Sequence, residues 1–313
     1  MIQKIQLGKT DEQVSEFSLG AMYFGTKNSE KESEDILNAY VEYGGSFVDT
    51  ANIYAYWVPG GTGLESETFL GKWFAKTGRR KDIFLATKVG FDRVDIGFGL
   101  RRQQIIQSCE NSLRLMKTDH IDLFYAHTDD RHTPLEETME AFARLHRMGK
   151  VRYLGASNYV PWRMEQAKAL CELHAWPQFV CLQQRFTYLK PVPLPMDRYH
   201  IDISDDLQDY ALDAKLTLLA YSPLLGGYYN HQERALPALY SASYNEKRVQ
   251  ALNEVVDEIG GVTPNQVVLA WMRRQPAPII PLVAGSSVAQ IKENIESLKI
   301  SLTDEQVEKL NLA

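Results

Sequence analysis

Four side chains in this sequence have the types and surroundings for chemistry: Asp49, Tyr54 five residues later in "DTANIY", Lys88 at the end of "FLATK", and His127 at the end of "IDLFYAH". A phenol with an ordinary pKa of about 10 is a poor acid at neutral pH, but a nearby ammonium favours the phenolate and eases loss of the proton. Lys88 can act on Tyr54 in this way. A desolvated lysine drifts towards its neutral form unless a carboxylate holds its charge, and Asp49 is the acid available to do so. His127 can share a hydrogen bond with the same substrate oxygen. Such a set would protonate or deprotonate an oxygen on carbon without a metal. Each residue also has a plain reading: Lys88 as a strand end in water, Asp49 as a loop cap, His127 as a satisfied core histidine, Tyr54 as packing in the aromatic loop "NIYAYWVPGG". What favours the chemical reading is that these groups recur at equivalent places in a repeating pattern.

That pattern is an alternation of short apolar runs with helical segments. "FSLGAM" precedes "SEKESEDILNAYVEYGG", "SFVDT" precedes "ESETFLGKWFAKTG", "DIFLATK" precedes "LRRQQIIQSCENSLRLMK", and "IDLFYAH" precedes "PLEETMEAFARLHRMGK". The second half continues with "VRYLGASN", "FVCLQQ", "LTLLAYS" and "IIPLVAG", each again followed by residues at helical spacing. Eight nearly all-apolar strands, each followed by a helix, predict a closed parallel (β/α)8 barrel. No linker or compositional shift divides the chain, so residues 1–313 are read as one barrel domain. Gly8 with Lys9-Thr10-Asp11 between two alternating runs predicts an N-terminal hairpin plugging the barrel bottom. Thr303 with Gln306 three residues on predicts an extra C-terminal helix. In a barrel of this kind the strand tips build the site, and here they read Asp49, Lys88, His127, Ser157-Asn158, Gln183-Gln184, Tyr221-Ser222 and Gly285-Ser286.

Composition excludes several functions. The 313 residues carry a formal charge of -6 with acids and bases interspersed, so no basic stripe suggests nucleic-acid binding. No apolar run reaches a membrane span, and the amino terminus lacks the continuous apolar core of a signal peptide; the expectation is a soluble cytoplasmic protein. Cys109, Cys171 and Cys181 are scattered without a CxxC spacing and read as packing residues. His127 and His132 with Asp129 and Asp130 between them do not have the spacing of a metal site on a helix face. "GFGLRR" has an arginine where a dinucleotide fingerprint needs a small residue, and "GGTGLES" lacks a phosphate-loop lysine.

"FVDTANIY", "ATK", "YAH", "GASN", "LQQ", "AYSPLLGG" and "AGSSVAQIKENI" occur in the order and spacing of the aldo-keto reductases, and the chain resembles that family over nearly its whole length. The resemblance implies a catalytic tetrad of Asp49, Tyr54, Lys88 and His127, with Tyr54 protonating a carbonyl oxygen while a nicotinamide cofactor supplies hydride. It further implies that Ser157, Asn158 and Gln183 hydrogen-bond the carboxamide of the nicotinamide and that Tyr221 stacks on its face. By the same resemblance Ser222, Pro223 and Leu224 lie along the pyrophosphate, Ser286, Gln290, Glu293 and Asn294 surround the adenosine, and Met22, Asp49, Gly226 and Gly285 are further cofactor contacts. A basic residue that often pairs with the 2′-phosphate is Gln290 here, and no lysine precedes Ser286. With Arg234 available in the long loop after strand seven, NADP is the expected cofactor and NAD the alternative. Tyr23, Phe24, Trp57 and Asp129, with the tyrosines 228, 229, 240 and 244, are expected to shape a pocket for a small, aromatic or sugar-like carbonyl compound. Two rival readings are a Schiff-base aldolase using Lys88 and a nicotinamide-binding redox-responsive regulatory subunit. Oligomeric state and physiological substrate are open at this stage.

Overall fold

The structure is a computed structural model that describes residues 1–93, 95–193 and 199–313. Eight parallel strands, β3 (Ser18–Gly20), β4 (Phe47–Asp49), β5 (Phe84–Val89), β6 (Ile121–Ala126), β7 (Val151–Ser157), β8 (Phe179–Arg185), β9 (Thr217–Tyr221) and β10 (Ile279–Val283), close into a ring in sequence order, with β10 against β3. Each is followed by a helix packed outside: α1 (Glu30–Glu42), α2 (Glu65–Thr77), α3 (Arg102–Met116), α4 (Leu135–Arg147), α5 (Pro161–His174), α6 (Asp205–Ala214), α8 (Pro264–Met272) and α9 (Val288–Glu296). An additional helix, α7 (Tyr244–Ile259), lies in the connection between β9 and α8. The (β/α)8 expectation holds. Among the described residues no helix is long and apolar enough to cross a membrane.

Several helices begin where side chains can satisfy free backbone N–H groups. Ser29 with Glu32, Thr263 with Gln266 and Thr303 with Gln306 each form a reciprocal capping box. The last of these opens α10 (Asp304–Leu312), which packs on α7 and is tied to it by Lys309 between Glu254 and Glu258.

The expected hairpin is β1 (Lys4–Gln6) paired antiparallel with β2 (Gln13–Ser15). Its Leu7 and Val14 are fully buried in one cluster with Phe47, Phe84, Leu123, Leu219 and Ile280, residues that fill the lower barrel lumen. Gly8 sits beneath this cluster with φ +54, and a Cβ there would lie 2.3 Å from the carbonyl oxygen of Val180. Only glycine allows the hairpin to approach the barrel floor this closely.

Strand alternation decides what the lumen contains. Inward positions read upward as Phe47 then Asp49 on β4, Phe84, Ala86 and Lys88 on β5, and Leu123, Tyr125 and then His127 at the tip of β6. On β8 the pair is Cys181 then Gln183, and on β9 Leu219 then Tyr221. The lower layers are apolar, and the uppermost layer is polar. The outward positions, such as Val48, Leu85 and Phe124, pack against the helices in a second, larger cluster.

Candidate active site

Lys88 is the centre of the upper layer. Its ammonium donates to Asp49 Oδ1, to the carbonyl oxygen of Thr50 at 2.7 Å and to the hydroxyl of Tyr54 at 2.6 Å. An ammonium has three N–H groups, so all are used. Lys88 and Asp49 are both 0% exposed, and β4 and β5 are adjacent strands in which Asp49 lies opposite Ala86, two residues below Lys88. Tyr54 belongs to the loop leaving β4, which turns through Ala55 at φ 65, and its hydroxyl donates to Asp49 Oδ1 at 3.2 Å. The side chain of Tyr54 lies beneath the ammonium as well, with Nζ 4.6 Å from the ring centroid.

The proton states follow from this packing. Burial lowers the Lys88 ammonium from its ordinary value, while the charge and hydrogen bond of Asp49 work in the opposite direction. Burial raises the Tyr54 phenol well above its ordinary value, and the charge and hydrogen bond of Asp49 add to the rise. The sequence reading expected the ammonium to lower Tyr54. In the folded site desolvation and the adjacent carboxylate prevail, so Tyr54 holds its proton firmly and is a loaded donor. A hydroxyl hydrogen turns about its C–O bond, so this proton can be swung from Asp49 to another acceptor.

His127 stands at the tip of β6, its ring edge-to-face with Tyr54 at 6.0 Å between centroids. Burial first, then the charges of Lys88 and His200, holds the imidazole well below its ordinary value, so it is neutral. Its Nδ1 is buried without a hydrogen-bond partner among the described residues. Asp129 and Asp130, in the same loop, are committed elsewhere. Asp130 accepts from the backbone of Leu100 and His132 and from the hydroxyl of Thr133, and Asp129 is paired with Arg131 and Arg163. Asp129 thereby braces the β6–α4 loop.

The other expected pocket residues divide. Phe24 is 2% exposed and packs edge-to-face on Phe69 at 5.3 Å. Tyr23 is partly exposed under the Lys27 ammonium, and Trp57 is 49% exposed beside Tyr56. Tyr229 and Tyr240 are buried, and Tyr229 hydrogen-bonds Thr187 and the backbone of Leu189. The aromatic wall nearest the tetrad is a different one. Phe91, three residues beyond Lys88, meets His127 edge-to-face at 4.6 Å and stacks on His200 at 6.1 Å; Tyr199 lies 6.4 Å from Phe91 and 5.8 Å from Phe98. Nothing in the sequence joins the loop after β5 to residues 199–200, more than a hundred positions away. A second buried acid also escaped the sequence reading. Glu67, in the first turn of α2, accepts from the Thr87 hydroxyl at 2.6 Å behind Lys88, and burial raises its carboxyl.

The strand tips from β7 to β10 form the remainder of the rim. Asn158, at φ 59, donates to the His127 carbonyl at 3.0 Å and to Ser157 Oγ at 3.1 Å. Its Oδ1 accepts from the Tyr221 hydroxyl at 2.9 Å and from the Ile201 N–H at 3.1 Å. Both amide hydrogens and the amide oxygen are thus engaged within the protein, so Asn158 ties together three rim segments. Gln183 donates to Asp49 Oδ2 at 2.9 Å. Past Tyr221 the chain turns through Ser222 at φ 56 and Gly226 at φ 67, with the Pro223 carbonyl accepting from Thr187 and Leu224 buried. Met22 lies partly buried in the loop after β3.

At the start of α9, Ser286 donates to Gln290 Oε1 through both its N–H, at 2.8 Å, and its hydroxyl, at 3.3 Å. Gly285 accepts from Asn28 through its carbonyl, and Asn294 donates to the Ala284 carbonyl. Glu293 accepts from Asn230 at 2.6 Å and Thr263 at 2.7 Å, so the loop after β9 lies along α9. Arg234 is in that loop with a 58% exposed side chain, 4.0 Å from the carboxylate of Glu233.

This donor set fits a nicotinamide dinucleotide. Amides and hydroxyls gather beside the tetrad, a half-buried tyrosine ring stands at the tip of β9, and farther along lies a capped helix N-terminus of the kind that favours anions.

The sequence matches the Aldo/keto reductase family over residues 16–312. It is 31% identical to an uncharacterized oxidoreductase of Bacillus subtilis (YrpG), covering 97% of this chain and 94% of the relative. Against the aldo-keto reductase str7 of Strobilurus tenacellus it is 32% identical, over 94% of this chain and 87% of the relative. A putative aryl-alcohol dehydrogenase of Saccharomyces cerevisiae is 28% identical, over 92% of this chain and 78% of that protein. A family match spanning the barrel, the tetrad and the rim leaves one assignment: this chain belongs to the aldo-keto reductase family of oxidoreductases, which use a nicotinamide nucleotide.

Proposed function

We propose that this protein is an NADPH-dependent reductase of aldehydes or ketones, with Tyr54 as general acid and carbonyl compounds bearing a flat aromatic group as its substrates. The observation that carries this reading is the continuous hydrogen-bonded unit of Asp49, Lys88 and Tyr54, closed off from water below and half-open to the rim above.

When bound, the nicotinamide supplies the hydride. Ser157 and Gln183 are the groups for its carboxamide, Tyr221 for its ring, Ser222 and Gly226 for the pyrophosphate, and Ser286 with Gln290 for the adenosine end. The chemistry of the protein itself is proton transfer. Tyr54 turns its hydroxyl from Asp49 to a carbonyl oxygen placed between it and His127, and gives up its proton as charge develops there. The phenolate left behind already accepts from the Lys88 ammonium at 2.6 Å, so its charge is stabilised in place. Asp49 keeps Lys88 charged despite burial. Neutral His127 can offer an N–H to the same oxygen without placing a second cation beside Lys88. Because the Lys88 nitrogen already donates three hydrogen bonds, it is poorly suited to attack a carbonyl, which disfavours the aldolase alternative.

The aromatic substrate class rests on Phe91, which bridges His127 and the Tyr199–His200 segment. Aromatic edges and faces at such spacing favour a flat ring over a polyhydroxylated chain. NADP is favoured over NAD by Arg234, the exposed cation on the loop that Asn230 ties to α9.

Following loss of NADPH absorbance with benzaldehyde-type, linear and sugar aldehydes tests the reading. The aromatic aldehydes should give the highest kcat/KM, and NADH in parallel should be the poorer cofactor. Tyr54→Phe should lose about 10²-fold or more in kcat while still quenching on NADPH binding. A Tyr54→Phe protein as active as the parent would end the proposed mechanism.

A further inference from the structure

Among the described residues, one hydrogen bond of the upper layer joins opposite sides of the barrel. In the ring order β10-β3-β4-β5-β6-β7-β8-β9, β4 and β8 are four strands apart and therefore face each other across the lumen. Gln183 from β8 spans that gap and donates its amide N–H to Asp49 Oδ2 at 2.9 Å. The opposite oxygen, Oδ1, is the one that receives both Lys88 and Tyr54. A carboxylate with one oxygen unheld could rotate and offer either oxygen to Lys88. With Oδ2 held by a neutral donor, its plane is fixed without cancelling its charge. The titratable groups facing this carboxylate are Lys88, Tyr54, Tyr125 and Cys181, and of these only Lys88 brings a positive charge.

We propose that Gln183 is a positioning residue for the acid, a cross-barrel strut that fixes Asp49 so that Lys88 and Tyr54 are aligned. The proposal rests on the reductase reading for its kinetic consequences, though the strut itself exists in the protein without nucleotide. One amide N–H is spent on Asp49, so only the second N–H and the oxygen of the Gln183 amide are left for a carboxamide. Nucleotide occupancy and acid alignment are therefore linked through one side chain.

Two variants separate this from a role in nucleotide binding alone. Gln183→Leu keeps the bulk and removes the donor. Gln183→Glu is isosteric and replaces the amide N–H by a group that can donate to Asp49 only while it is protonated. Two adjacent carboxyl groups in a buried site share a proton, so Gln183→Glu should restore the strut at low pH and lose it as pH rises. At saturating NADPH and aldehyde, Gln183→Leu should lower kcat about tenfold across the pH range, about 1.4 kcal/mol in the barrier. Gln183→Glu should approach the parent at low pH and fall about tenfold as the shared proton leaves. Loss confined to NADPH affinity, measured by fluorescence quenching, with both kcat profiles parallel to the parent, would overturn the proposal. A second measurement needs neither nucleotide nor turnover. In thermal melts, Gln183→Leu should cost less in an Asp49→Asn background than in the parent. Additive melting shifts would show that the strut carries nothing. If the parent itself reduces no carbonyl compound, the reductase reading fails while the melting cycle still decides the strut.

Discussion

The lower and upper halves of the barrel lumen are built by the same strands and differ in what holds them. Below, Leu7, Val14, Phe47, Phe84, Leu123 and Leu219 pack without a polar atom among their side chains, and the hairpin closes the end. Higher along the strands, Asp49, Lys88 and Gln183 are equally buried but are held by directed hydrogen bonds. Apolar packing is non-directional and tolerates small adjustments. A buried charge pair tolerates none, because each partner left alone keeps its desolvation cost. The apolar floor thus supplies a rigid, dry base, and the polar layer uses it to hold an ammonium against a phenol. Where the two meet, Tyr125 lies under Lys88, its ring 5.6 Å from the ammonium, with its hydroxyl accepting from the Cys181 thiol at 3.8 Å.

The sharpest way to break this contrast is Lys88→Met. Removing one partner of a buried pair leaves Asp49 uncompensated and should lower stability by about 3–5 kcal/mol in denaturant titrations. Since the stranded carboxylate can take a proton, part of the loss should return at acid pH. A loss below about 1 kcal/mol would mean that the upper layer is held by packing after all.

Gly155→Ala probes the junction between the layers. A Cβ there would lie 2.6 Å from the Tyr125 ring, so the ring must move within a filled lumen. The expected cost is about 1–3 kcal/mol, as for overpacked cores, read from the melting temperature. An unchanged melting temperature would show slack beneath Lys88 that the packing does not suggest.

The smallest effect is the pH dependence contributed by His127. Its folded value lies well below the ordinary 6.5, so in the unfolded chain this histidine takes a proton at higher pH than in the folded one. Below about pH 6.5 the unfolded state therefore binds more protons, and stability falls as pH drops. The contribution is constant above that range. His127→Gln should show a shallower loss between neutral and mildly acid pH than the parent; identical slopes would mean that His127 titrates normally.

The regularity of eight apolar runs followed by helical ones was enough to read the barrel, because a strand buried on both faces and an amphipathic helix leave different periods. The capping box at Thr303 was legible for the same local reason. Asp49, Tyr54, Lys88 and His127 could be named because each lies at or just beyond a strand end, where alternation brings side chains to one rim. The packing of Phe24 and the ion pairs of Asp129 were not legible. Loop residues near a rim can turn inward or pair locally, and neither Phe69 for the first nor Arg163 for the second is marked by spacing.

By itself, then, the sequence determined the order of elements and which side chains reach the upper end of the barrel, since both follow from periods of two and 3.6 residues along one chain. The direction in which Tyr54 is shifted, the joining of Phe91 to His200 and the reach of Gln183 across to Asp49 were decided only by the closed ring. Closure brings strands four places apart face to face and excludes water between them, and neither burial nor opposition across a lumen is a property of local sequence.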